Sequence, residues 1–175
     1  MDSSEFLGFL TTRASVREYG DEPVTDGEIR FMLDCASTAP SAGNLEAWDV
    51  VLVTDEDTRL ELREAAYGQE QIGEAPLIVI VCANYIRSMS QYGERGILYA
   101  IQDATIAGTY LMLAAHALSL HSCWTGAFIE DDVRTTLALP QHIRPVALLA
   151  IGKGSMPSTL TGRMAVGEHL HFGHW

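Results

Sequence analysis

The feature that most limits how this chain can fold is Leu77-Ile78-Val79-Ile80-Val81-Cys82, an uninterrupted apolar run opened by Pro76. A strand with one wet face alternates apolar and polar residues, whereas a strand covered on both faces reads as a continuous apolar run. The run therefore predicts a buried strand in a sheet with helices packed on it. Residues 49–53, 122–125 and 145–151 supply further strands.

Helical periodicity fills the intervals. Residues 3–12 place Phe6, Phe9 and Leu10 on one helical face, with Ser3 or Ser4 as the cap. Thr25 caps a second helix through Ile29, Met32, Leu33 and Cys35, with Asp26 and Glu28 in its first turn. That helix stops before Pro40. An acidic helix covers residues 55–66 and a short one residues 131–139. The long helix over residues 96–118 is apolar nearly all round, as suits a core or a subunit interface. The stretch between Cys82 and Gly96 reads as a polar, glycine-containing loop, residues 39–44 as a turn-rich loop, and residues 155–175 as a tail without period. Strands and helices mix throughout with no repeat or linker, so one α+β or α/β domain over residues 1–175 is expected.

The composition belongs to a soluble globular domain: 47% of residues are hydrophobic and 19% charged. A formal net charge of −12 argues against a nucleic-acid groove and against docking on an anionic membrane. Gln102, Asp103 and His116 interrupt the longest apolar stretch, which is thus no spanning segment. MDSSEFLGFL lacks the basic and apolar regions of a signal peptide, and the three cysteines are far apart. Reduced thiols and a cytoplasmic location are the expectation. In so acidic a chain an anionic ligand needs a local arginine cluster.

Arg13-Ala14-Ser15-Val16-Arg17 offers two guanidiniums and a hydroxyl within five residues, a phosphate-binding set or a solvated basic turn. In Pro40-Ser41-Ala42-Gly43-Asn44-Leu45-Glu46-Ala47-Trp48, small residues admit a planar ligand that Ser41 and Asn44 can hydrogen-bond; an ordinary Asx-turn loop has the same composition. Gly126, after Ser122-Cys123-Trp124-Thr125, either exposes a backbone N–H or simply ends a strand. Gly152-Lys153-Gly154 suggests a phosphate nest, but no Walker motif precedes it. Cys123 beside His121 permits a thiol nucleophile or a buried structural thiol. Gln102 and Asp103 either act in catalysis or satisfy polar groups at an interface. His169, His171 and His174 fit no standard metal spacing, so no metal is expected and the tail reads as a surface or dimer-wrapping segment.

Taken in order, the Arg-x-Ser-x-Arg loop, the Pro-Ser-x-x-Asn loop, the apolar helix entered through Gln102-Asp103, the Cys-Trp-x-Gly-x-Phe strand end and the late Arg163 resemble the nitroreductase family of flavoproteins. Tyr67-Gly68-Gln69 and Tyr92-Gly93-Glu94-Arg95 look like that family too, and the resemblance runs from about Thr12 to Arg163. It implies an α+β three-layer sandwich, a central and mostly antiparallel sheet flanked by helices. It also implies a homodimer with FMN at the interface, where residues 96–118 form the central helix. The implied activity is ping-pong hydride transfer from NADH or NADPH through FMN to nitroaromatic, quinone or similar electron-poor acceptors. A flavin-dependent dehydrogenase or reductase of a specific metabolite, and a non-enzymatic FMN-binding module, are the alternatives.

Residue by residue, the resemblance assigns Arg13, Ala14, Ser15 and Arg17 to the FMN loop, with Arg13 on the phosphate and Arg17 towards the ribityl chain and pyrimidine edge. Lys153 and Arg163 become later basic contributors, Arg163 closing on the phosphate. Pro40, Ser41, Ala42 and Asn44 belong to a loop that crosses from the partner subunit. Thr125 and Gly126 lie at the strand end, where the Gly126 N–H faces flavin N5. No side chain is required as nucleophile or general acid. Two departures stand out. Glu46-Ala47 occupies the place where the family often has Gln-Pro, and residues 84–96 are too short for the helical lid of longer members.

Overall fold

The computed structural model describes residues 2–159 and 161–175. Its centre is β2 (Leu77–Asn84), buried at every position. Odd-numbered Leu77, Val79, Val81 and Ala83 pack with Met32 and Ala36 of α2 (Asp26–Ala36) and with Ala100, Ala104 and Leu111 of α6 (Arg95–Ala117). Even-numbered Ile78, Ile80 and Cys82 pack with Leu62, Ile72 and Val133, from α3 (Glu56–Ala65), α4 (Glu70–Glu74) and α7 (Glu130–Thr136). The period of two in the strand thus builds three layers.

The strand order is β1-β2-β4-β3, with β1 at Trp48–Val53, β3 at His121–Thr125 and β4 at Ile143–Gly152. All three pairings are antiparallel. Ile78, Ile80, Leu148 and Leu149 are fully buried, each worth about 1.5–3 kcal/mol relative to exposure.

By length and a mean hydropathy of 1.3, α6 could cross a membrane. Here it is a core helix. Gly96, Ala100, Ala104, Ala107 and Gly108 are among its buried residues, and their small size brings the helix onto the sheet. A Cβ on Gly108 would lie 3.0 Å from Trp124 and 3.3 Å from Val81. The other side of α6 stays partly open, with Leu98 45% exposed. Along α1 (Ser3–Thr12) no residue is buried, although Phe6, Phe9 and Leu10 share the expected face.

Two local expectations are corrected. The cap of α1 is Asp2, not Ser3 or Ser4, because its carboxylate reaches the Ser4 and Glu5 amides at 2.8 and 2.9 Å. The stretch after Cys82 is not a loop but α5 (Tyr85–Tyr92), capped by Asn84 and ended by Gly93 at φ 54°. Its polar sequence hides it because Ser88 is its one buried residue. At Gly96 the missing Cβ, which would fall 2.6 Å from the Met89 N, lets α6 fold back against α5. The short α4 was likewise unmarked, having little room for a period.

Candidate active site

The segment from Arg13 to Gly20 runs along the edge of the sheet, and Val16 anchors it with no exposed surface. The Val16 amide donates to Ser122 O at 3.1 Å, Gly20 to Lys153 O at 2.9 Å, and Ser155 back to Glu18 O at 3.1 Å. The Tyr19 hydroxyl lies 2.8 Å from Val16 O and 3.0 Å from Ala150 O. Burial, helped by Cys123, pushes that hydroxyl above the ordinary tyrosine range. A turn pinned at so many points holds its side chains in fixed directions.

Those side chains open on a cleft of about 460 Å³ between the end of α1, this turn and Pro157, Thr159, Thr161 and Arg163. Arg13, Ala14, Ser15, Arg17 and Arg163 line it, together with Thr11, Thr159 and Thr161. None of the described lining residues is acidic.

Eight of the chain's eleven basic residues have internal partners. Arg30, Arg63, Arg87, Arg134, Arg144 and Lys153 pair with acids, Arg59 with carbonyls and Arg95 with Tyr99. Among the described residues, the basic side chains without a hydrogen-bond or ion-pair partner are Arg13, Arg17 and Arg163, and all three face this one cleft. Like charges gathered without a counterion repel one another, so the cleft favours a multiply charged anion.

Gly126 follows Ser122 by four residues along β3 and its end, roughly 13 Å at about 3.3 Å per residue. It is exposed, while Thr125 is buried with its hydroxyl 3.2 Å from Gln71 Nε2. Gln69 spans the same strand end, its amide donating to Ala66 O and Ala127 O at 3.0 Å each. Gln71 also donates to Gln69 Oε1 at 3.0 Å. Gln69 thus ties the backbone after Gly126, and Gln71 ties the Thr125 side chain before it to Gln69. The sequence drew attention to Gln69 without indicating its task, and nothing singled out Gln71.

Pro40, Ser41 and Ala42 lie elsewhere, lining a separate groove of about 550 Å³ with Tyr99, Ile101, Gln102, Thr105 and Ile106 of α6. Gly43, Asn44 and Glu46 take φ of 58°, 56° and 47°, and the two non-glycine residues each cost about 1–3 kcal/mol. Asp103, 2% exposed, holds this backbone: its oxygens accept from the amides of Ala42 at 2.9 Å and Ala47 at 3.2 Å. Arg87 secures the far end, donating to Glu46 O at 2.7 Å and Trp48 O at 3.0 Å and pairing with Asp49 at 2.7 Å. Asp103 thus satisfies polar groups, as one sequence reading allowed, but they are backbone amides of its own chain.

The remaining candidates fall outside these two clefts. Lys153 pairs with Glu22, while its flanking glycines serve packing: a Cβ at Gly152 would be 2.6 Å from Pro76, and one at Gly154 would strike Glu18 O. Cys123 is 1% exposed, and burial pushes its thiol up although Arg17 and Arg13 pull it down. A neutral buried thiol is a poor nucleophile. His171 stacks on Trp175 at 4.0 Å, and among the described residues no three His, Cys, Asp or Glu side chains converge as a metal site.

With the geometry in place, comparison with known proteins gives a single direction. The sequence profile of the nitroreductase family matches residues 10–72 and 64–153. The chain is 32% identical over 168 residues to an NADH dehydrogenase of Thermus thermophilus, covering 80% of this chain and 82% of that one. It is 28% identical over 163 residues to the FMN reductase (NAD(P)H) of Bacillus subtilis, covering 85% and 66%. The structure of NfrA2 from B. megaterium superimposes with a TM-score of 0.91 at 26% identity, covering all of this chain and 76% of that one.

Proposed function

The chain belongs to the nitroreductase family, and from that premise we propose that it is an FMN-dependent oxidoreductase, using NADH or NADPH to reduce small electron-poor acceptors such as nitroaromatics and quinones. The observation that carries the reading is the convergence of Arg13, Arg17 and Arg163, unpartnered, on one cleft of an otherwise acidic chain. Three guanidiniums with the Ser15, Thr159 and Thr161 hydroxyls form a donor set suited to a phosphate dianion. The residues therefore fit FMN.

When bound, FMN supplies the redox chemistry, taking hydride from the nicotinamide and passing it to the acceptor. The protein binds and orients. Arg13, Ser15 and Arg163 hold the phosphate, and Arg17 offers a further cation along the turn towards the ring. Gly126 presents its backbone N–H at the strand end that Gln69 and Gln71 fix. Lys153, held by Glu22, is assigned no phosphate contact.

A homodimer completes this site. Pro40, Ser41, Ala42 and Asn44 share no cleft with Arg13 in one chain, so the loop acts on the flavin of a second copy. The unburied face of α1, the open side of α6, and a tail with Phe172 and Trp175 88% and 98% exposed support such an assembly. The three free cysteines accord with a reducing, cytoplasmic location.

The test is the visible spectrum of the purified protein with FMN, before and after anaerobic NADH or NADPH. Retained flavin bands that bleach with either nucleotide establish the activity and its donor. Retained bands that do not bleach replace the enzyme by a flavin-binding module, and failure to retain FMN overturns the site.

A further inference from the structure

We propose that Asp103 is a positioning residue for flavin binding, its carboxylate setting the shape of the loop that faces the partner subunit's flavin. This rests on the assignment of residues 40–44 to that site. Both Asp103 oxygens are committed to backbone, one to the Ala42 amide at 2.9 Å and one to the Ala47 amide at 3.2 Å. Between these contacts the chain passes through three left-handed residues, Gly43, Asn44 and Glu46. Such a segment has many competing conformers, and two charge-assisted hydrogen bonds to one rigid group select among them.

The carboxylate is itself held by α6, which small buried residues seat directly on the sheet. The loop is therefore registered to the core and not to the surface. Asp103 and Ala42 both line the groove, beside Pro40 and Ser41. Asp103→Asn keeps the volume but replaces one acceptor by a donor, which then meets a backbone N–H donor.

The experiment compares the parent with Asp103→Asn and with Leu62→Ala, a stability control buried on the opposite face of the sheet. Amide exchange at Ala42 and Ala47 is read by NMR without flavin. FMN affinity and the visible circular dichroism of bound FMN are read by titration. Asp103→Asn is expected to speed exchange at both amides, weaken FMN about tenfold and change the dichroism. Leu62→Ala is expected to lower Tm while keeping the parent's affinity and dichroism. Unchanged amides overturn the clamp, and FMN affinity and dichroism that match the control's overturn its role towards the flavin. A parent that retains no FMN overturns the proposed function and this inference together, and is recognised before any variant is made.

Discussion

The cleft beside Arg13 gathers three guanidiniums that pair with no group among the described residues, whereas the groove beside Pro40 has its backbone satisfied by Asp103 and Arg87 and presents a mainly apolar wall. The two are incomplete in different ways. The first lacks a counter-charge, which a small anion would supply; the second leaves apolar helix surface open, which the proposed partner subunit would cover. In the proposed dimer each flavin takes its phosphate contacts from one copy and its loop contacts from the other.

The largest effect expected is on the groove. Thr105 is exposed on α6 within it, and Thr105→Arg would bury unpaired charges at the interface at a cost of about 3–5 kcal/mol. Sedimentation should show monomers where the parent is dimeric; a dimer of unchanged stability would place the interface elsewhere. Next is the cleft's response to its ligand. At a hundredfold excess over Kd, FMN should add about 2.7 kcal/mol of stability, a rise in Tm of roughly 5–10 °C in a thermal scan. An equal rise in Arg13→Ala would separate FMN from the cleft.

Arg13→Ala, removing one charge-assisted contact, should weaken FMN by roughly 10–100-fold in a fluorescence titration, and added salt should narrow the difference. Equal affinity would leave the three-arginine cleft without its function. The smallest effect is a pH dependence. Burial, then the nearby His116, holds the His121 pKa below its ordinary value of 6.5. The unfolded chain takes up its proton first, so this contribution to stability is present above pH 6.5 and lost as pH falls from there to the folded value. His121→Gln should flatten a slight fall in Tm between about pH 7.5 and 5.5; an unchanged slope assigns it to other groups.

Much of the fold was legible in local pattern. The apolar run from Leu77 to Cys82 announced a strand covered on both faces, and alternate residues of β2 do face different helix layers. Thr25 is the expected cap, and Glu28, expected in the first turn, closes a capping box with it, because that motif spans four residues. By contrast α5 buries just Ser88, and hydrophobic patterning has little to detect in such a helix. At the sites, Arg13, Ser15, Arg17 and Arg163 could be named from motif order. The tasks of Asp103 and Gln71 could not, since each bonds to a group 54 or more residues away in sequence, Asp103 to backbone amides and Gln71 to the Thr125 hydroxyl.

The sequence alone determined a mixed domain of helices packed on a sheet with a strand covered on both faces, the excess of acid over base and the residue types a phosphate needs, because periodicity, composition and short motifs are local properties; the α+β sandwich came from the family resemblance. Only the tertiary structure decided which cations remain unpaired. Lys153 and Arg163 are both late basic residues, yet one meets Glu22 and the other faces the cleft. The tertiary structure also put the two halves of the proposed site in separate clefts, because distances between remote segments follow from packing and not from order along the chain.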